Sequence, residues 1–294
     1  MPSVEEGRIA FRGYETWYRH IRADEPVGPA LLCLHGGPGG THLGFAGLAA
    51  LTDERDVVVY DQLGGGNSSQ PSDPSLWTVE LYVAEEAAVR EALGLDNVHL
   101  LGHSWGGMLA LEVALTQPSG LESLVLSSTL SSAQLWESEA QRLRAELPDD
   151  VRVVLEGHEA AGTLDDPAYE GAVRAYFERH LCRLDPWPEV VEEIMRMTRA
   201  EVYETMWGLN EMVPTGTLSG WDVTPRLNEI RVPTLVLCGR YDEATPHQAE
   251  VIAAGISGAE LTVFEESAHM TLIEEPERYV DVVRRFLRAV DRGA

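Results

Sequence analysis

The chain has 294 residues, 44% of them hydrophobic and 24% charged, enough to bury the core of one large domain with an insertion or of two small ones. Its 48 acidic residues outnumber 22 basic ones, all arginine, and leave a formal charge of −26. A surface this acidic repels phosphate backbones and anionic lipid, which argues against nucleic-acid and membrane partners, and the lack of lysine removes a lysine nucleophile or Schiff base. Solubility or a saline habitat accounts for the acidity more simply than recruitment of cationic substrates.

The N-terminal stretch Met1-Pro2-Ser3-Val4-Glu5-Glu6-Gly7 is acidic and lacks the apolar core of a signal peptide. No apolar run approaches the roughly 18 residues a membrane span needs. Cys33, Cys182 and Cys238 are far apart, and two lie in strand-like apolar runs, so they read as reduced core thiols, not a disulfide framework or a zinc site. The expectation is a cytoplasmic protein with no metal.

In chain order, the weak alternation over residues 8–21 predicts an antiparallel hairpin at a sheet edge. Short continuous apolar runs then recur at 31–34, 57–60, 98–101, 121–126, 234–238 and 261–264, the pattern of parallel strands buried on both faces. Helical stretches at 81–93, 248–256 and 276–290 separate or follow them, so the prediction is an α/β fold with helices on both faces of the sheet. Between strands, residues 131–223 break the rhythm. They are mostly helical and polar, rich in Trp and Tyr, and divided by Pro148, Pro167, Pro186 and Pro188. A helical block inserted between two strands of one sheet must sit over the strand ends, which predicts a core of 1–130 and 224–294 with a cap at 131–223.

The third run leads directly into Gly102-His103-Ser104-Trp105-Gly106-Gly107 and then a helix former, Met108 to Leu115, that Pro118 stops. Strand, G-x-S-x-G turn and helix together make a nucleophile elbow: the turn is tight enough to demand glycine two positions either side of Ser104, and it lifts the hydroxyl above the helix N-terminus. A serine needs a general base, and the base an orienting acid. Asp242 follows an apolar strand on the ligand-binding edge of such a sheet, and His269 lies on the loop before the last helix, so the order Ser104, Asp242, His269 fits a triad. Helix capping by Asp242 or Thr245 is the alternative. Oxyanion donors are expected from the backbone of Trp105 and from the turn His35-Gly36-Gly37-Pro38-Gly39-Gly40, with Gly37 as donor. A phosphate-binding loop is disfavoured there, because no Gly-Lys-Ser/Thr follows.

His35-Gly36-Gly37-Pro38-Gly39, Asp61-Gln62-Leu63-Gly64-Gly65-Gly66-Asn67-Ser68 and the Ser104 elbow together resemble the proline iminopeptidase family of α/β-hydrolases, in particular its tricorn-interacting aminopeptidase and L-amino-acid amidase branch. The resemblance runs nearly the whole chain and includes Trp207-Gly208-Leu209-Asn210-Glu211 and Tyr241-Asp242-Glu243-Ala244-Thr245-Pro246. It implies a mostly parallel eight-stranded sheet and a cofactor-free serine hydrolase that releases an unblocked N-terminal residue, proline among the candidates, from small peptides or amino-acid amides. It also implies that Glu211 and Glu243 hold the substrate ammonium beside Tyr203, as against a solvated loop acid and a helix N-terminal charge. Leu63, Gly65 and Asn67 depart from the arginine and cysteine many members carry, which bears on proline preference more than on the chemistry. A general esterase or small-amide hydrolase, or a silent binding module on the same fold, are the alternatives.

Overall fold

The computed structural model describes residues 3–293, so Met1 and Pro2 of the N-terminal stretch considered above lie outside it. Strands β1 (Ser3–Phe11) and β2 (Tyr14–Arg22) form the expected hairpin, paired antiparallel from Ser3↔Arg22 to Phe11↔Tyr14. The six apolar runs form β3 (Ala30–Leu34), β4 (Val57–Tyr60), β5 (Val98–His103), β6 (Leu121–Ser127), β7 (Thr234–Gly239) and β8 (Glu260–Phe264). They assemble into one eight-stranded sheet in the order β1-β2-β4-β3-β5-β6-β7-β8, parallel from β4 to β8.

Period-two side-chain alternation explains why β3 and β4, buried at every position, are apolar throughout, whereas the last strand β8 lies at the sheet edge and is buried only at Phe264, not on both faces as expected. Leu32 and Leu34 join one core layer with α1 (Val79–Leu93) and α2 (Trp105–Leu115), whereas Leu31 and Cys33 join the opposite layer. Both faces are covered. Thr78 caps α1 by accepting from the Leu81 amide, and Gly94 ends it in the left-handed region.

Between β6 and β7 lie α3 (Ala133–Ala145), α4 (Asp149–Ala161), α5 (Pro167–His180), α6 (Glu189–Met197) and α7 (Ala200–Met206). Pro148 and Pro188 sit at the N-caps of α4 and α6, and Pro167 starts α5, so the prolines open helices here. Ser132 pairs with Asp222 in an isolated bridge, and the Ala133 and Val223 amides donate to Trp221 and Ser131, which closes a narrow neck. The chain ends with α8 (Pro246–Gly255), α9 (Thr271–Glu274) and α10 (Pro276–Gly293). Tyr279, Val280, Val283, Phe286 and Leu287 of α10 follow helical spacing and seal the second core layer. A 3-10 helix over His42–Leu51, with Phe45, Leu48 and Leu51 buried, was not legible as an element in the sequence. Among the described residues, no helix is long and apolar enough to cross a membrane.

Candidate active site

Ser104 sits between β5 and α2 with φ 54° and ψ −123°, a left-handed conformation that a non-glycine residue rarely adopts. The neighbouring glycines are required by contact. A Cβ on Gly102 would lie 2.1 Å from the Gly106 carbonyl oxygen, and one on Gly106 would lie 1.9 Å from that of Leu34. The turn therefore presses against the β3 exit, beside the glycine loop: a Cβ on Gly36 would come within 3.1 Å of the Ser104 Cβ. Gly37 has φ 119°, which only glycine tolerates with the Gly40 amide so near.

Asp242 follows β7 and His269 follows β8, and the two loops meet. His269 Nδ1 donates to Asp242 Oδ1 at 2.7 Å, with both side chains buried. The same carboxylate accepts from the Ala244 amide at 2.8 Å, and Gly239 donates to its second oxygen at 3.3 Å. These bonds fix its orientation without capping α8. Thr245 stands at the α8 N-cap but its hydroxyl donates to Glu139 instead, at 2.7 Å.

The helical insertion holds this pair from above. The carbonyl of His180, at the end of α5, accepts from the amides of both Glu243 (3.1 Å) and His269 (3.2 Å), and the Leu181 carbonyl accepts from Met270 at 2.9 Å. His180 Nδ1 reaches the Tyr241 carbonyl at 2.8 Å. One turn of chain thus ties together the acid loop and the histidine loop.

Gly37, Ser104, Tyr203, Glu211, Glu243 and His269 all line one cavity of about 550 Å³. Asp242 stands behind His269. The Trp105 side chain points away into the core, so only its backbone N–H is available for the role expected of it. His103 also lines the cavity, its ring centroid 4.7 Å from that of His269. Burial first, then the neighbouring His269, hold His103 well below the ordinary imidazole range, so it stays neutral there.

Glu211 and Glu243 line the same cavity, Glu243 buried and Glu211 half-buried, and among the described residues neither makes a salt bridge. Tyr203 donates its hydroxyl to Glu211, while Glu243 Oε2 has no hydrogen-bond partner. Burial raises both pKa values, and for Glu243 the charges of Glu211 and Asp242 raise it further. A pair of desolvated acids aimed into a cavity is costly unless a cation completes it.

Sequence reasoning missed three residues. Gln62 joins the two halves of the expected oxyanion site: its Oε1 accepts from Trp105 Nε1 at 2.8 Å, its Nε2 donates to the His35 carbonyl at 3.0 Å, and its amide donates to His35 Nε2 at 2.9 Å. That last bond leaves the His35 proton on Nδ1, which donates to the Gly36 carbonyl. Asp61 accepts from Thr41 Oγ1, His42 N and Nδ1, and Asn67 N and Nδ2, stapling one glycine loop to the other. Burial would raise the Asp61 pKa, but the His42 bond and the other donors hold it at about 2. His180 is the third. Only Gln62 and Asp61 carried a signal, as the polar members of a glycine-rich stretch after a strand.

Among the described residues, no group of three or more His, Cys, Asp or Glu could hold a metal ion, and the three cysteines are buried and unpaired.

The family model described as alpha/beta hydrolase fold matches residues 29–276. A proline iminopeptidase from Heyndrickxia coagulans is 40% identical over 288 residues, covering 98% of this chain and 97% of that protein. One from Lactobacillus acidophilus is 40% identical over 295 residues, covering 98% and 99%. The chain belongs to the proline iminopeptidase family of α/β-hydrolases. The crystal structure of the Mycobacterium smegmatis proline iminopeptidase superposes with a TM-score of 0.92 at 39% identity, covering 98% and 99% of the two chains. The crystal structure of VinJ superposes with a TM-score of 0.94, also at 39% identity, covering 99% and 100%. The fold expected from the sequence, an eight-stranded mostly parallel sheet with an inserted set of helices, is therefore that of the proline iminopeptidases.

Proposed function

We propose that this member of the family is a serine aminopeptidase or amidase that removes an unblocked N-terminal residue, proline among them, from small peptides or amino-acid amides. The observation that carries the proposal is the pair of acids, half-buried Glu211 and buried Glu243, in the same cavity as Ser104 and the Asp242-bound His269. The two carboxylates receive the α-ammonium, and the substrate cation replaces the charge the pair lacks.

In the proposed reaction the Ser104 hydroxyl attacks the carbonyl carbon while His269 takes its proton. Asp242 holds the Nδ1–H tautomer and stabilises the imidazolium. Backbone N–H groups of Gly37 and Trp105 receive the oxyanion. His269 then returns the proton to the leaving amine as the C–N bond breaks, leaving an aminoacyl ester on Ser104. Water, deprotonated by His269, cleaves that ester and frees the amino acid. Residues 131–223, closed at the Ser132–Asp222 neck, act as a cap that limits substrate length. No metal or organic cofactor enters this scheme. The unpaired cysteines suit a reducing compartment, so the cytoplasm is the proposed location.

Gln62→Ala is expected to lower kcat about tenfold with little change in KM, because it frees the Trp105 indole and the His35 carbonyl that fix the two donors; steady-state kinetics on an anilide check this. The broader test is a panel of Pro, Ala, Leu and Phe anilides, each free and N-acetylated. Turnover of the free forms alone supports the ammonium site, and the panel ranks the preferred residue. Equal turnover of the acetylated forms would leave a general esterase or amidase with no use for Glu211 and Glu243.

A further inference from the structure

The bridge that Gln62 makes between His35 and Trp105 is itself held from behind, by α1. Gln62 and Leu63 share a peptide group whose two polar atoms are both bonded. The Gln62 carbonyl accepts from the Gly65 amide at 2.9 Å, and the Leu63 amide donates to the Glu85 carboxylate, 2.9 Å from Oε1 and 3.1 Å from Oε2. The next carbonyl is taken as well, since Tyr82 donates its hydroxyl to that of Leu63 at 3.1 Å. The Tyr82 ring also meets the Trp105 ring edge to face, with centroids 5.6 Å apart. One turn of α1 therefore touches both sides of the bridge: Tyr82 packs on Trp105 and, with Glu85, fixes the backbone from which the Gln62 side chain extends. A Cβ on Gly64 would lie 2.8 Å from the Trp77 ring, so the loop lies directly against the chain that enters α1.

Glu85 is a costly residue for this position. It is fully buried, as are Leu63 and Thr16, whose hydroxyl donates to Oε1. Among the described residues no arginine or histidine offsets its charge, and burial pushes its pKa up to about 7 despite the two donors. An apolar side chain would fill the same space without that penalty. What a carboxylate supplies here is an acceptor at one fixed point on the loop. Glu85 does not line the cavity, so it reaches the reacting atoms through Gln62 and not directly.

We propose that Glu85 is a positioning residue for the hydrolysis: by holding the Leu63 amide it sets the Gln62 side chain, and through it the Trp105 and Gly37 backbone donors assigned to the oxyanion. The proposal rests on the mechanism proposed above. A shift of the Gln62–Leu63 peptide moves the side-chain amide that joins the two donor segments, and oxyanion stabilisation falls steeply when donors are misplaced. A residue that only supports the core would lower stability without this route to kcat.

The test is a double-variant cycle on the free-amine anilide preferred in the panel, with kcat expressed per active site counted by a serine-reactive fluorophosphonate. Glu85→Met keeps the length of the side chain and removes the acceptor. It is expected to lower kcat about tenfold with KM within about twofold, as Gln62→Ala does. Glu85→Gln keeps an acceptor for both donors and is expected to recover kcat to within about threefold of wild type. Combining Glu85→Met with Gln62→Ala is expected to cost about tenfold in all, no more than either change alone, because both interrupt one path. Melting curves record any loss of stability separately. Should Glu85→Met fail to fold, Glu85→Asp, which draws the acceptor back by one methylene, takes its place in the cycle. A double variant about 100-fold down, the product of two independent losses, overturns the proposal. So does wild-type kcat in the variant that lacks or withdraws the acceptor, or a Glu85→Gln variant as slow as that one. Each of these results leaves the aminopeptidase function intact. No Ser104-dependent turnover by the wild-type protein overturns both.

Discussion

Replacing Ser104 with alanine is expected to lower kcat on a free-amine anilide by about 10⁴- to 10⁶-fold, the range seen when a triad nucleophile is removed and only binding and oxyanion stabilisation remain. KM should change little, because the carboxylate pair and the cavity walls are untouched. Stability should be retained, since alanine keeps the backbone of the tight turn and loses only a hydroxyl facing the cavity. Glycine at the same position should be equally inactive but more stable by about 1 kcal/mol, because φ 54° is strained for serine and free for glycine. Single-turnover kinetics and a melting curve on both variants separate these effects. Residual activity within about 100-fold of wild type would show that Ser104 is not the nucleophile.

The second large effect is expected at Glu243. Glu243→Gln should reduce kcat/KM on free-amine substrates about 10²- to 10³-fold, as loss of one partner of a buried charge pair does. The same change should stabilise the free protein by about 1 kcal/mol or more, raising Tm by a few °C, because an unpartnered buried carboxylate is replaced by a neutral amide. The sign with pH follows from the raised pKa. A folded state that binds the Glu243 proton more tightly than the unfolded state is favoured in acid, and it loses that advantage as pH rises from the ordinary carboxylate range through the elevated value. The Tm gain of the variant should therefore grow from pH 5 to pH 8. On the proposed function, binding the ammonium in wild type requires both carboxylates ionised. The acid limb of kcat/KM should consequently fall above the ordinary carboxylate range, and Glu243→Gln should move it down. Tm against pH and kcat/KM against pH, measured on the two proteins, give both signs. A destabilised variant with unchanged kcat/KM would mean that Glu243 is structural.

Local rules made much of the molecule readable. Strands β3 and β4 were visible because burial on both faces forces apolar residues at every position. The elbow was visible because its geometry forbids side chains at Gly102 and Gly106, so the constraint is written into neighbouring positions. Asp242 and His269 could be placed because each follows a strand on the same edge of a parallel sheet. Glu211 and Glu243 were nominated by family resemblance. The burial of Glu243, and the lack of a partner for its Oε2, are properties of packing.

What the sequence alone determined, then, is the order of elements, the strained serine and the family, since each depends on residues within a few positions of one another or on a motif carried intact. Only the tertiary structure decided how the site is held and shaped. Gln62 bridges His35 and Trp105 across 27 and 43 positions, the His180 carbonyl gathers amides from 63 and 89 residues downstream, and the cavity beside Ser104 draws its walls from α6, α9 and a 3-10 helix. No periodicity records such contacts, because a hydrogen bond or a shared cavity wall depends on where the chain returns in space, and that is set by the whole sheet and the helices packed on it.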